Sequence, residues 1–60
     1  MIPIGTPVRR KDSEYAFHGV IVAAFTKLDG KSVRYVVEGA QEGNRGMLLI
    51  MSEKNLEKLP

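Results

Sequence analysis

Apolar and polar positions recur with a short period over the first fifty residues, in runs rich in β-branched and aromatic side chains and broken by glycine, aspartate and asparagine. That pattern predicts strands. The first is Thr6 to Lys11, whose Pro7 restricts it to an edge or to a strand start. The second, Phe17 to Thr26, is apolar on both alternating sets, with Gly19 as the expected bend or bulge. Ser32 to Glu38 gives a third strand. Between the last two, Leu28-Asp29-Gly30-Lys31 carries Asp-Gly, which readily takes two positive φ angles and so predicts a hairpin through a type I′ turn. Residues Gly39 to Gly46 hold three glycines and an asparagine, the composition of a flexible connection without a regular element. A fourth strand follows, Met47 to Met51. Ser52 then caps one short helical turn over Glu53-Lys54-Asn55, and Leu56-Glu57-Lys58-Leu59 closes the chain as an edge strand. A longer C-terminal helix from Ser52 is the competing reading, but Pro60 and the few residues available make it marginal. The fold class expected is all-β: a small five-stranded SH3-like barrel, one domain spanning residues 1 to 60, with one helical turn before the last strand.

The same pattern carries a surplus. In a small barrel each strand needs one apolar face, and the alternate positions meet water. The fourth strand sets Met47, Leu49 and Met51 against Leu48 and Ile50, with no polar residue on either side. In the second, Val20, Val22 and Ala24 oppose Ile21, Ala23 and Phe25. One face fills a barrel; the other needs loops or a partner, because soluble monomers avoid large apolar patches. Length sharpens this. Sixty residues bury only about 60% of the unfolded surface, and no cysteine is present to staple the domain. Self-association, as a dimer or tetramer, is the expected source of further stability.

Charge and composition narrow the functional classes. Nine Lys/Arg against seven interspersed Asp/Glu leave a net +2, which does not by itself imply a nucleic-acid partner. The dense cationic cluster is Arg9-Arg10-Lys11, split by strand alternation into Arg9 and Lys11 on one face and Arg10 on the other. It reads as a charged edge that discourages pairing, or as a phosphate contact together with Arg34 and Arg45. One histidine and no cysteine cannot build a zinc site, so no metal is expected. His18 reads as a surface or interface residue. Tyr15, Tyr35 and Phe25 are candidates for an aromatic stacking surface, and Met47 and Met51 read as packing. The N-terminus lacks the basic and apolar regions of a signal peptide, and the longest apolar run, Val20 to Phe25, is too short to span a bilayer. A soluble cytoplasmic protein with no membrane partner is expected.

Several segments, taken in order, resemble the type II (type B) plasmid-borne dihydrofolate reductases, whose subunit is an SH3-like barrel. Gly5-Thr6-Pro7-Val8-Arg9-Arg10-Lys11 is similar to that family's Gly-Asp-Arg-Val-Arg-Lys-Lys, and Phe17-His18-Gly19-Val20-Ile21-Val22 to its Trp-Gln-Gly-Gln-Ile-Val. Tyr35-Val36-Val37-Glu38 resembles its Tyr-Ala-Val-Glu, and Asn55-Leu56-Glu57-Lys58-Leu59 its Ala-Leu-Glu-Arg-Ile. The likeness covers nearly the whole chain, with small shifts before Phe17, around Asp29-Gly30 and in the glycine loop. Each motif alone is weak; their order and spacing carry the resemblance.

The resemblance implies a homotetramer around one pore in which NADPH and dihydrofolate meet, a trimethoprim-insensitive chemistry. The family's pore strand, Val-Gln-Ile-Tyr, falls on Leu48, Leu49, Ile50 and Met51, and its first-strand lysine on Arg10. Phe17 stands where the family has a tryptophan used in subunit contact, with His18 beside it; ordinary core is the alternative for Phe17. The departures are severe. Leu49 and Met51 can neither donate nor accept as glutamine and tyrosine do, and Arg10 keeps the charge without the compact ammonium. A site built around such hydrogen bonds loses discrimination on the order of 10⁴ when they are mismatched. The expectation is therefore a self-associating barrel, non-catalytic or catalytically altered, with no catalytic residue assigned. The alternatives are an NADPH-dependent reductase using a degenerate pore and a small basic nucleic-acid-binding barrel.

Overall fold

Five antiparallel strands form one sheet in the order β4-β3-β2-β1-β5 in the computed structural model, which describes residues 1–11 and 17–60. The strands are β1 (Pro7–Arg10), β2 (His18–Thr26), β3 (Val33–Gly39), β4 (Leu48–Ser52) and β5 (Leu56–Lys58), with a 3-10 turn, Glu53–Asn55, before the last. This is the SH3-like barrel expected, each element lying within about a residue of its expected bounds. The nine-residue β2 serves two partners at its start: Val20, Gly19 and His18 lie opposite Pro7, Val8 and Arg9 of β1 while Gly19 to Thr26 run along β3.

The core is built from one face of each strand. Ile2, Val8, Phe17, Ile21, Tyr35, Val37, Met51 and Leu56 are buried together, with Val33 and Leu49 packed against them. Tyr35 is fully buried, and its hydroxyl is used twice: it accepts from the Ile2 backbone N–H at 3.0 Å and donates to Glu53 Oε1 at 3.0 Å. That bond pair ties the N-terminal segment and the 3-10 turn to the centre of β3. Tyr35 is thus a core residue and takes no part in an aromatic surface with the exposed Phe25; Tyr15 lies outside the described residues.

Three local details differ from the sequence reading. The bulge in β2 falls between Ile21 and Ala23, not at Gly19. Gly19 is needed for a different reason: it faces Gly39 across β2 and β3, and a Cβ on it would overlap the Glu38 carbonyl oxygen and lie 2.8 Å from Val37 Cγ1. Ser52 marks the start of the 3-10 turn, yet its hydroxyl caps no backbone N–H and instead accepts from Asn55 Nδ2 at 3.0 Å. The β2–β3 hairpin forms, but the Gly30 N–H donates to the Lys27 carbonyl, which centres the turn on Leu28-Asp29 and leaves Gly30 at φ 72°.

Asp29 explains why this longer turn wins over a two-residue one. Its carboxylate accepts from the Ser32 hydroxyl at 2.7 Å and from the backbone N–H groups of Ser32 and Lys31 at 2.8 Å each. Those donors, the Ser32 hydroxyl foremost, hold its pKa at about 2. The folded value lies below the unfolded one, so the turn's contribution is complete above about pH 4 and is lost as pH falls towards 2. Replacing Asp29 by asparagine is expected to flatten the acid limb of thermal stability between those values; an unchanged limb would contradict the assignment.

Past Gly39, the last residue of β3, the loop expected over Gly39 to Gly46 contains no helix or strand, but it is a closed hydrogen-bonded unit. The Gly39 N–H donates to Met47 O, Gly46 N–H to Gly39 O, and Asn44 Oδ1 accepts from the Gln41 N–H.

Candidate functional site

Cross-strand register fixes which side chains share the outer face of β2, β3 and β4. Val20, Glu38 and Leu48 form one row, Ala23, Val36 and Ile50 the next, and Phe25, Arg34 and Ser52 the third. The middle row is wholly apolar. Leu48 and Ile50 are 60% and 64% exposed, and Val22 and Phe25 about 40%. Strict alternation would have put Val22 and Ala24 beside Val20; the bulge instead brings Ala23 and Phe25 to the outer face of the sheet. The surplus read from the sequence is therefore real in the fold, and it is concentrated on this one convex sheet.

The opposite face of β4 points inward. Leu49 lies opposite Val37 and Met51 opposite Tyr35, so both join the core, Met51 at 8% exposure. Beside them an open groove of about 390 Å³ is lined by Arg10, Lys11, Leu49, Ile50, Met51 and Asn55. Four of the five residues suggested as ligand-binding meet here; Leu48 does not line the groove and sits on the outer face. Arg10 reaches it because alternation puts its side chain on the same side of β1 as the buried Val8, at the barrel mouth. Lys11 is held at this end by its N–H, which donates to the Asn55 carbonyl at 2.8 Å. The sequence reading separated Lys11 from Arg10 and passed over Asn55, because nothing local marks residues joined only when the barrel closes.

The other candidates are dispersed. Phe17 is buried in the chain's own core at 6% exposure. His18 is half-buried in β2, its backbone N–H 3.4 Å from Gln41 Oε1. Arg9 is engaged with Glu57 on the neighbouring β5 at 2.6 Å, an exposed pair in which the shared hydrogen bond raises the guanidinium pKa and lowers the carboxyl's. Arg34 lies on the outer face of β3, its guanidinium donating to the Val33 carbonyl at 3.1 Å. Arg45 lines a second hollow of about 370 Å³ with Val20, Val22, Glu38, Gly39 and Ala40. Among the described residues, no group of three or more His, Cys, Asp or Glu is placed to hold a metal ion, and no helix is long and apolar enough to cross a membrane.

The residues present do not fit recognition of a nicotinamide ring amide. Leu49 and Met51, to which the resemblance assigns that contact, present hydrocarbon and thioether to the core. The groove's polar groups are two cations and one side-chain amide at its rim. No family model, curated protein or solved structure matches the chain.

Proposed function

We propose that this chain is a self-associating SH3-like barrel that acts as a non-catalytic or catalytically altered binding module, descended from the stock of the type II dihydrofolate reductases. The observation that carries self-association is the outer face of β2-β3-β4: an uninterrupted apolar row of Ala23, Val36 and Ile50, flanked by exposed Leu48, Val22 and Phe25. A contiguous apolar surface on so small a domain is the signature of an interface between copies. Loss of the ancestral chemistry follows from what fills the positions of the family's glutamine and tyrosine. Cytoplasmic residence belongs to the same reading.

A second reading, an NADPH-dependent dihydrofolate reductase, is favoured by one thing only: the groove gathers Arg10, Leu49, Ile50 and Met51 in one place. The discriminating assay is oxidation of NADPH by the purified protein in the presence of dihydrofolate. Absorbance at the background rate is expected. Turnover that scales with protein concentration would replace the first reading with the second. A nucleic-acid interface is the weaker proposal, since Arg9 is engaged by Glu57 and Arg34 and Arg45 border the apolar sheet.

A further inference from the structure

β4 ends the sheet, and its outer edge has no strand beside it among the described residues. The phase of its hydrogen bonds is known. Gly39 N–H donates to Met47 O in the same register as Glu38 opposite Leu48. Antiparallel pairs alternate between bonded and non-bonded, so Leu49 and Met51 exchange bonds with Val37 and Tyr35. The N–H groups of Leu48, Ile50 and Ser52 and the C=O groups of Leu48 and Ile50 therefore point away from β3, to the open edge, while the Ser52 carbonyl is taken by the first bond of the 3-10 turn. These are three donors and two acceptors in a row, spaced for another extended chain.

The two edges of the sheet are treated differently by the sequence. β5 carries Glu57 and Lys58 and is followed by Pro60, the devices that keep an edge from pairing. β4 reads Leu-Leu-Ile-Met-Ser and carries none. The groove along it has an apolar floor of Leu49 and Met51, and Arg10, Lys11 and Asn55 at the side formed by the end of β1 and the 3-10 turn. Among the described residues, no carboxylate lines it. At about 390 Å³ it falls in the size range of ligand sites.

We propose that the open edge of β4 binds an extended peptide segment carrying acidic side chains, which adds as a further strand and places a carboxylate against Arg10 and Lys11. Backbone bonds from Leu48, Ile50 and Ser52 supply the pairing, and the two cations select the charge. This site uses the backbone edge of β4 and shares with the outer face the side chain of Ile50.

The full chain, labelled with ¹⁵N, is titrated with acetyl-Thr-Glu-Val-Glu-Thr-amide and, separately, with the same peptide bearing lysine in place of glutamate. Expected are saturable amide shifts at Leu48, Ile50, Ser52, Arg10 and Lys11, with hydrogen exchange at the first three slowed by about tenfold or more, the amount one added bond of about 1.4 kcal/mol gives. Leu49 and Met51, already bonded to β3, show little further slowing. The lysine peptide binds about tenfold more weakly or worse, and the acidic peptide loses affinity as salt rises. Ile50→Pro removes one edge donor without touching the β3 ladder, a position where an edge strand accepts proline, and weakens binding by about tenfold. Where that variant fails to fold, the exchange pattern of the unaltered chain decides alone. Absence of saturable shifts at millimolar peptide, equal binding of the lysine peptide, or shifts confined to other residues overturns the proposal. So does protection of Leu48, Ile50 and Ser52 that grows with protein concentration before peptide is added, which would assign the edge to a second copy.

Discussion

Replacing Ile50 by lysine is expected to convert the associated protein to monomer with little loss of fold. Ile50 is 64% exposed in the single chain, so its side chain contributes almost nothing to the barrel's own core. In an interface it sits at the end of the all-apolar row with Val36 and Ala23. Burying an isoleucine contributes roughly 1.5 to 3 kcal/mol, and an ammonium forced into the same contact adds an uncompensated desolvation cost of several kcal/mol. Each 1.4 kcal/mol is about a factor of ten, so dissociation should strengthen by about a thousandfold or more. Sedimentation velocity reads the association, and circular dichroism checks that the fold survives. Unchanged association with lysine at this position would show that the outer face is not the interface.

The second large effect is expected at the glycine pair. Gly19 and Gly39 lie opposite each other in β2 and β3, and both are closed to a side chain by backbone. At Gly19 a Cβ meets the Glu38 carbonyl oxygen; at Gly39 it meets the Asn44 carbonyl oxygen and lies 2.8 Å from Asn44 Oδ1. Backbone oxygens held in a ladder cannot step aside as a side-chain tip can. Gly19→Ala should therefore cost at least the upper part of the overpacking range, about 3 kcal/mol. A domain of this size has a total stability of roughly 3 to 9 kcal/mol. The expected fall in Tm is on the order of 15 °C, and Gly39→Ala should behave alike while also disturbing the 39–46 loop. The control is Gly43→Ala, at an open position whose φ of 95° carries only the modest cost of a left-handed residue. A Tm for Gly19→Ala within a few degrees of the unaltered chain would refute this packing.

Local signals made most of the fold legible. β-branched runs punctuated by glycine located all five strands, and Ser52 to Asn55 was too short for anything beyond one helical turn. The bulge was not legible, because Ile21, Val22 and Ala23 are all apolar and a slip among them leaves no mark in the pattern. Gly19 drew attention instead, and its true constraint, the approach of the Glu38 carbonyl, is long-range. The Asp29 turn was misjudged because the Asp-Gly pair outweighed Ser32, whose hydroxyl and N–H draw the carboxylate into a longer loop. The apolar outer face could be read directly from Leu48 and Ile50. The groove's grouping of Arg10 with Leu49, Ile50 and Met51 came only through the family resemblance; no local pattern marks it, since Arg10 and Ile50 are forty positions apart and meet only through the closure of the barrel.

We propose that this barrel is completed by copies of itself through the outer face of β2-β3-β4. The most direct test is the absolute mass in solution, by light scattering behind a sizing column over a hundredfold range of concentration. A mass of two or four chains that persists on dilution into the micromolar range is the predicted result. A single-chain mass of 6.7 kDa at every concentration would contradict it.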